Sequence, residues 1–377
     1  MINIIIICAL LKKEIKEITR DRIIILMVVV MPILNLVIMG YSVNLDAKNV
    51  ATIIIDKDSS LFSRDLIHSM RNSGYFDINL THDEILARRA FSKGLAKIII
   101  HIPDDFSKNI ISNKDSEIFV ETDATEPSST ANALQTLQYL VDNTQSHELN
   151  RISSMVSQSP GKTSLVLRKW FNPRGDSHLN IIPGLIGMIL SIMPMLMVSL
   201  SIIREREKGT LRHIQSSGIS PFLYLLGKSI PYVMIGLLQL ILMLGVSIVL
   251  LDVPIKGSSI ELFGVSFLFI VLSITIGIGL TTLISNQLQA MQLLSFYFLF
   301  SNMLSGFLSP FEAMPQWSQW LGNLIPLTHF IRLIRGIMIK SNSVTLMGND
   351  VLHLVIVLLV TLIISHYLIT RSWTKNE

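Results

Sequence analysis

Apolar residues gather into six long runs free of Asp, Glu, Lys and Arg: Ile23–Tyr41, Ile181–Ile203, Ile230–Leu251, Leu262–Ile284, Leu288–Leu308 and Val351–Ile369. Each is long enough to cross a hydrocarbon core of ~30 Å as a helix, which needs about 20 residues. A helix satisfies its own backbone hydrogen bonds, so such runs can stay in lipid. The pattern predicts a polytopic α-helical membrane protein with six transmembrane helices.

Between the first two runs lies 42–180, polar and long enough for a core of its own. It alternates element types, with strands at Val50–Ile55, Phe76–Leu80, Ala96–Ile102 and Glu117–Thr122, and helices at Leu61–Met70, Asp83–Ser92 and Asp104–Ile111. Runs such as Ile53–Ile55 and Ile98–Ile100 suit strands buried on both faces. The expectation is an inserted extracytoplasmic α/β domain with mainly parallel pairing. Ser128–Ser157 reads as one long helix, with Leu134, Leu137, Val141, Leu149, Ile152 and Val156 on one stripe. That stripe serves internal packing or docks a periplasmic adaptor.

Two further segments carry a pattern. In 1–22, residues Leu10–Arg22 predict an amphipathic helix with Leu11, Ile15 and Ile18 on one face; the alternative is a basic flank that orients the first span. Segment 309–350 is too apolar for an ordinary loop, with Trp317, Trp320, Leu321, Leu324 and Phe330 divided by Pro310, Pro315 and Pro326. It predicts one or two short re-entrant or interfacial helices, or else a loop with an aromatic girdle.

Charge fixes the orientation. Half of the residues are hydrophobic and 15% are charged, with a net charge of +4. Basic clusters stand before the first span (Lys12, Lys13, Lys16, Arg20, Arg22), after the second (Arg204, Arg206, Lys208, Arg212) and after the last (Arg371, Lys375). Six crossings bring all three to one side, and basic flanks mark the cytoplasm. Both termini, the tail 370–377 included, are expected in the cytoplasm and 42–180 outside. The first span is read as an uncleaved anchor, since no small-residue cleavage site follows it. Cys8, the single cysteine, excludes an intramolecular disulfide. A basic stripe with aromatics is absent, and nucleic-acid binding with it.

Candidate chemistry narrows the function. Only His353 and His366 are ionisable within the spans, which disfavours ion-coupled transport. Gln239, Gln292 and Asn302 are read as hydrogen bonds between helices. Gly161-Lys162-Thr163 ends like a P-loop, but Val156 stands where its first glycine belongs. His147-Glu148 lacks a second zinc ligand, because Arg151 occupies that position. Gly264-Val265-Ser266 lacks the closing glycine of a nucleophile elbow, since Leu268 stands there. Asp104 is read as a helix cap. No catalytic constellation and no metal site emerge. The remaining motif is Arg204-Glu205-Arg206-Glu207-Lys208-Gly209-Thr210-Leu211, followed by Gly218, Ser220 and Pro221. Such a run is a solvated loop, or a short charged helix that fits a soluble partner and passes motion to the bundle.

Glu205-Arg206-Glu207-Lys208-Gly209-Thr210 resembles the E-R-E-x-G-T stretch of ABC-2 type membrane subunits, the permease halves of ABC exporters. Ser305-Gly306-Phe307 through Pro310, Glu312, Met314 and Pro315 is similar to that family's S-G-F-x-x-P-x-x-x-M-P pattern. Pro326-Leu327-Thr328-His329 followed by Arg335 is similar to its P-L-T-H…R continuation. Phe171-Asn172-Pro173 and Ile182-Pro183-Gly184 resemble the entry to its second helix, and the amphipathic segment its elbow helix. The likeness spans essentially the whole chain and matches the bacterial drug-efflux branch with a large periplasmic insertion between the first two spans.

The resemblance implies a non-catalytic permease subunit of an ATP-driven exporter in the bacterial inner membrane. It implies a second permease subunit and a separate ABC ATPase that binds ATP and Mg, so that this chain holds no cofactor. Coupling to the ATPase is expected through 204–221, with Arg204–Gly218 as the coupling helix. A second contact is expected through Lys12, Lys13, Glu14, Lys16 and Glu17. Gly306, Pro310, Glu312, Met314, Pro315, Pro326, His329 and Arg335 are expected to form an outer gate. Spans two and five would line an apolar route for an amphiphilic or hydrophobic, drug-like or lipid-like substrate. The rival reading is a membrane-anchored sensor or scaffold with a ligand-binding extracytoplasmic domain.

Overall fold

A computed structural model describes residues 2–42, 48–111, 117–123, 130, 133–141, 171–172 and 176–374. The 142–157 part of the long stripe, the His147-Glu148 and Gly161–Thr163 stretches and Pro173 lie outside these residues. The chain divides into a helical unit, Met1–Val43 with His178–Glu377, and an α/β unit, Asn44–Ser177.

The α/β unit runs β1 (Val50–Asp56), α3 (Leu61–Asn72), β2 (Phe76–Leu80), α4 (Glu84–Ser92), β3 (Ile98–Ile102), α5 (Phe106–Ile111), β4 (Phe119–Thr122) and a helical stretch α6 at 133–141. The strand order is β2-β1-β3-β4, with β1 parallel to β2 and β3, and β4 antiparallel to β3. Helices cover both faces, which is why β1 and β3 read as unbroken isoleucine runs. Leu66, Ile67 and Met70 of α3 pack with Val50, Ile54, Ile98 and Ile100 on one face, together with Ala133 and Leu137. Ala87 of α4 packs with Ile53, Ile55 and Ile99 on the other. Ser60 and Asp83 cap α3 and α4 through their side-chain oxygens. The cap expected of Asp104 does not form among the described residues; Asp105 instead accepts the Asn109 amide at 3.0 Å.

The helical unit comprises α1 (Ile2–Arg20), α2 (Arg22–Ser42), α7 (Ser177–Glu207), α8 (Thr210–Ser216), α9 (Pro221–Leu251), α10 (Ser259–Thr281), α11 (Gln287–Leu304), α12 (Gln316–Leu324), α13 (Pro326–Lys340) and α14 (Gly348–Thr374). Among the described residues five helices are long and apolar enough to cross a membrane: α2, α7, α9, α10 and the helix ending near Arg371. The predicted fifth span is α11, which has 18 residues and carries Gln287, Gln289 and Gln292 near its start. It falls short of the other five in apolarity.

The core lies where α7, α9, α10, α13 and α14 meet, around Ile186, Leu240, Phe269, Phe330 and Leu354. Phe269 and Phe330 stack at 4.0 Å. Helix α13 is buried along Leu327, Phe330, Ile331, Ile334, Ile337 and Met338, whereas α12 leaves Trp317 and Trp320 exposed. Of the amides read as interhelical bonds, Gln239 donates to the Val28 carbonyl at 3.2 Å, joining α9 to α2. Gln292 is exposed, and the buried Asn302 carbonyl oxygen has no partner among the described residues.

Candidate coupling site

The motif at the end of α7 sends three consecutive side chains to three places. Glu205 turns inward and is 5% exposed. Its carboxylate accepts the Tyr224 hydroxyl at 2.6 Å, lies 3.0 Å from Lys228 Nζ, and also bonds Lys13 Nζ. Arg206 Nη1 donates to the carbonyls of Thr281 and Ile284 at 3.2 and 2.6 Å, closing the end of α10. Glu207 accepts the Gln287 amide at 2.9 Å, satisfying an orphan donor at the start of α11. Gly209 then breaks the helix with φ +73°, a left-handed conformation that costs other residues roughly 1–2 kcal/mol. Leu211 is buried and anchors α8, while Lys208, Arg212 and His213 face solvent. Thr210 donates its hydroxyl to the Glu205 carbonyl at 3.1 Å.

Helix α1 meets this motif from the other side. Glu14, 2% exposed, accepts Lys228 Nζ at 2.7 Å, the Tyr232 hydroxyl at 3.1 Å and the Ser201 hydroxyl at 3.2 Å. Lys13, Glu14, Glu205 and Lys228 thus form a quartet of two lysines and two carboxylates, buried except for the half-buried Lys13, that ties α1, α7 and α9 together. Isolated buried charges are prohibitively costly, and pairing with full hydrogen bonding makes them tolerable. Burial opposes the charge on Lys13, but its hydrogen bond and ion pairing with Glu205 outweigh that and raise its pKa. Gly227 permits the approach of α1 to α9, since a Cβ there would meet Leu10 at 2.9 Å.

Several expectations are corrected here. The stretch Arg204–Gly218, expected as one coupling helix, is instead the end of α7 and the separate α8. Glu205 and Glu14 are internal rather than surface charges. Ile15, placed with Leu11 and Ile18 on the apolar face, is 49% exposed, because the buried line of α1 runs through Glu14 instead. Lys12, Lys16 and Glu17 remain exposed, and Glu17 lies 3.9 Å from Lys13. A cleft of 650 Å3 opens beside the quartet, lined by Lys13, Glu17, Arg20, Arg204 and Lys208. Tyr224 and Lys228 fall before the predicted start of the third span at Ile230, whereas Tyr232 falls inside it and carries no motif. The Ser220-Pro221 pair, a cap followed by proline in the first turn, is the signal that places them on α9.

The other predicted residues converge on the 306–335 segment. Gly306 takes φ +79°, and its carbonyl lies 3.5 Å from Arg335 Nη1. Pro310 leads into a 3-10 turn at Phe311–Ala313, and Pro315 and Pro326 open α12 and α13. Gln319 donates to the carbonyls of Met314 and Glu312 at 2.8 and 3.4 Å. His329 bonds Asp350 through Nδ1 at 2.7 Å and the Asn323 carbonyl through Nε2 at 2.9 Å. His353 stacks on it at 3.9 Å, and Arg332 reaches Asp350 at 3.7 Å.

This architecture has known relatives. Residues 22–367 match the model of the ABC-2 family transporter protein. The chain belongs to the ABC-2 transporter family. It is similar to the probable multidrug ABC transporter permease YbhS of Escherichia coli K12, at 32% identity covering 92% of each chain. The probable multidrug ABC transporter permease YbhR of the same strain is 27% identical, covering 92% of this chain and 94% of its own. ABC transporter G family member 20 of Dictyostelium discoideum is 21% identical over 88% of this chain, which spans 46% of that protein. As an ABC-2 family member, the chain is a multi-pass membrane transport permease rather than a sensor, and the family implies an ATPase partner.

Proposed function

We propose that this chain is the membrane half of an ATP-driven exporter, with α11 completing six crossings and both termini in the cytoplasm. A separate ABC ATPase, carrying ATP and Mg, would dock on α8 and on the cleft between α1 and the end of α7. The observation that carries this reading is the buried quartet: it makes α1, α7 and α9 one body immediately behind the exposed Lys208, Arg212 and His213. A push on those residues reaches the bundle without loss in a flexible loop. Charge on the exposed side would set register and partner choice.

A second permease copy or a paralogue would cover α11, which exposes Phe296, Leu299, Phe300 and Met303. The route between the two would carry an amphiphilic or hydrophobic substrate, in keeping with the multidrug names of YbhS and YbhR. The 306–335 segment would close that route on the outer side, where the α/β unit would meet a periplasmic adaptor. Replacing Arg212 by Glu and, separately, Gly209 by Val tests the coupling element. Membrane insertion should be unchanged, while substrate-stimulated ATPase activity of the assembled transporter falls about tenfold, within the usual range of coupling energies. Full stimulation in both variants would remove α8 from the coupling role.

A further inference from the structure

The α/β unit carries an open cleft of 320 Å3 that transport leaves unused. In open α/β sheets, ligands gather outside the carboxyl ends of the strands. Here one such crevice is filled and its neighbour is open. Between β1 and β3, where the strand order reverses, Asp58 closes the gap by accepting the Ser107 hydroxyl at 2.7 Å, the Ser107 amide at 3.3 Å and the Ser60 hydroxyl. Beyond β1 and β2 the crevice remains, walled by α3 and by the chain leaving β2. The Thr81 amide donates to the Ile54 carbonyl at 3.1 Å and folds that chain back over the end of β1.

The α3 wall is cationic by its periodicity. Arg64, His68 and Arg71 are spaced i, i+4, i+7 on one stripe, and they line the cleft together with His82. Among the described residues, no acceptor pairs with the side chains of Arg64, Arg71 or His82. The Asn72 amide occupies His68 Nδ1 at 2.7 Å, which leaves Nε2 to carry a donor hydrogen. The one carboxylate at the cleft, Asp56, is already engaged. It accepts the amides of Asp58 and Ser59 at 3.1 and 3.0 Å and the Ser63 hydroxyl at 2.8 Å, and among the described residues it forms no ion pair with either arginine. Beside these cations Leu80 is 59% exposed. Two guanidinium groups whose planar forks match an oxyanion, next to uncovered apolar surface, make a site for a molecule with both characters.

We infer that this cleft binds an anionic amphiphile, its phosphate or carboxylate head held by Arg64 and Arg71 with His68 assisting, and the start of its apolar tail laid on Leu80. The inference is independent of the coupling element. Radiolabelled decyl phosphate, kept below its micelle concentration, is titrated onto the full chain in phosphatidylcholine nanodiscs, with empty nanodiscs as background. Saturable binding is expected, weakened about tenfold by Arg64→Ala and again by Arg71→Ala, the size of a lost charge-assisted hydrogen bond. Leu80→Ser should weaken decyl phosphate but leave competition by inorganic phosphate unchanged, which separates lost contact from a misfolded unit. Competition from nanodiscs containing phosphatidic acid would support the site and name a bilayer lipid as the source. Absence of that competition would support it with a soluble amphiphile. Binding indifferent to both arginine substitutions, or displaced equally by neutral decyl maltoside, would overturn the proposal.

Discussion

Two polar clusters sit at opposite ends of α14. Near its C-terminal end Trp373 tilts against Tyr224 at 5.7 Å, and the Tyr224 hydroxyl belongs to the Lys13–Glu14–Glu205–Lys228 quartet. Near its N-terminal end Asp350 and His353 join the group around His329. The quartet pairs two lysines with two carboxylates across three helices. The His329 group ties α12, α13 and α14 together through one imidazole ring. Both His329 nitrogens face acceptors, the Asp350 carboxylate and the Asn323 carbonyl. The difference teaches that the first cluster holds its helices by paired ions shared among several side chains, and the second through the two faces of a single ring.

The largest blow to this contrast would come from Lys228→Met, which leaves Glu14 without a cation in a site almost closed to water. Breaking one side of a buried pair costs about 3–5 kcal/mol. The thermal unfolding midpoint in detergent should drop steeply and recover in part when Glu14→Leu is added. A double variant that falls by the sum of the two singles would mean that the quartet is not a coupled unit. A smaller effect is expected of His329→Asn, which forfeits hydrogen bonds worth about 1–3 kcal/mol. Hydrogen exchange should quicken in α13 peptides and stay unchanged in α1 peptides; loosening at both ends would dissolve the distinction. The smallest effect concerns Lys13, which is half-buried. Its pKa is raised by Glu205, so its contribution to stability is complete below the ordinary lysine range and fades as pH rises through its elevated value. The stability gap between the wild type and Lys13→Met should therefore hold through neutral pH and close only in strong alkali.

The spans and the sheet were legible because each is a local pattern. Charge-free apolar runs mark α2, α7, α9, α10 and α14, and unbroken isoleucines mark β1 and β3. Boundaries differ at two helix starts that lie ahead of the predicted ones. Helix α1 begins at Ile2 rather than Leu10, and α9 at Pro221 rather than Ile230. The E-R-E run was visible as a motif, but its meaning was not. Glu205 reads as a surface charge until Lys13, 192 positions away, is brought beside it. Glu14 finds Lys228 across 214 positions, and no periodicity encodes such pairings. His329 was named from its motif alone, whereas its partner Asp350 lies 21 residues on and on another helix.

The three neighbours Glu205, Arg206 and Glu207 have one more consequence. A residue advances about 100° around a helix at 3.6 per turn, so these side chains leave α7 like spokes from a hub, toward α1 and α9, toward the end of α10, and toward the start of α11. If that last turn twists by a single residue, every spoke loses its rim at once. Rotation at this point would therefore be felt by four helices together.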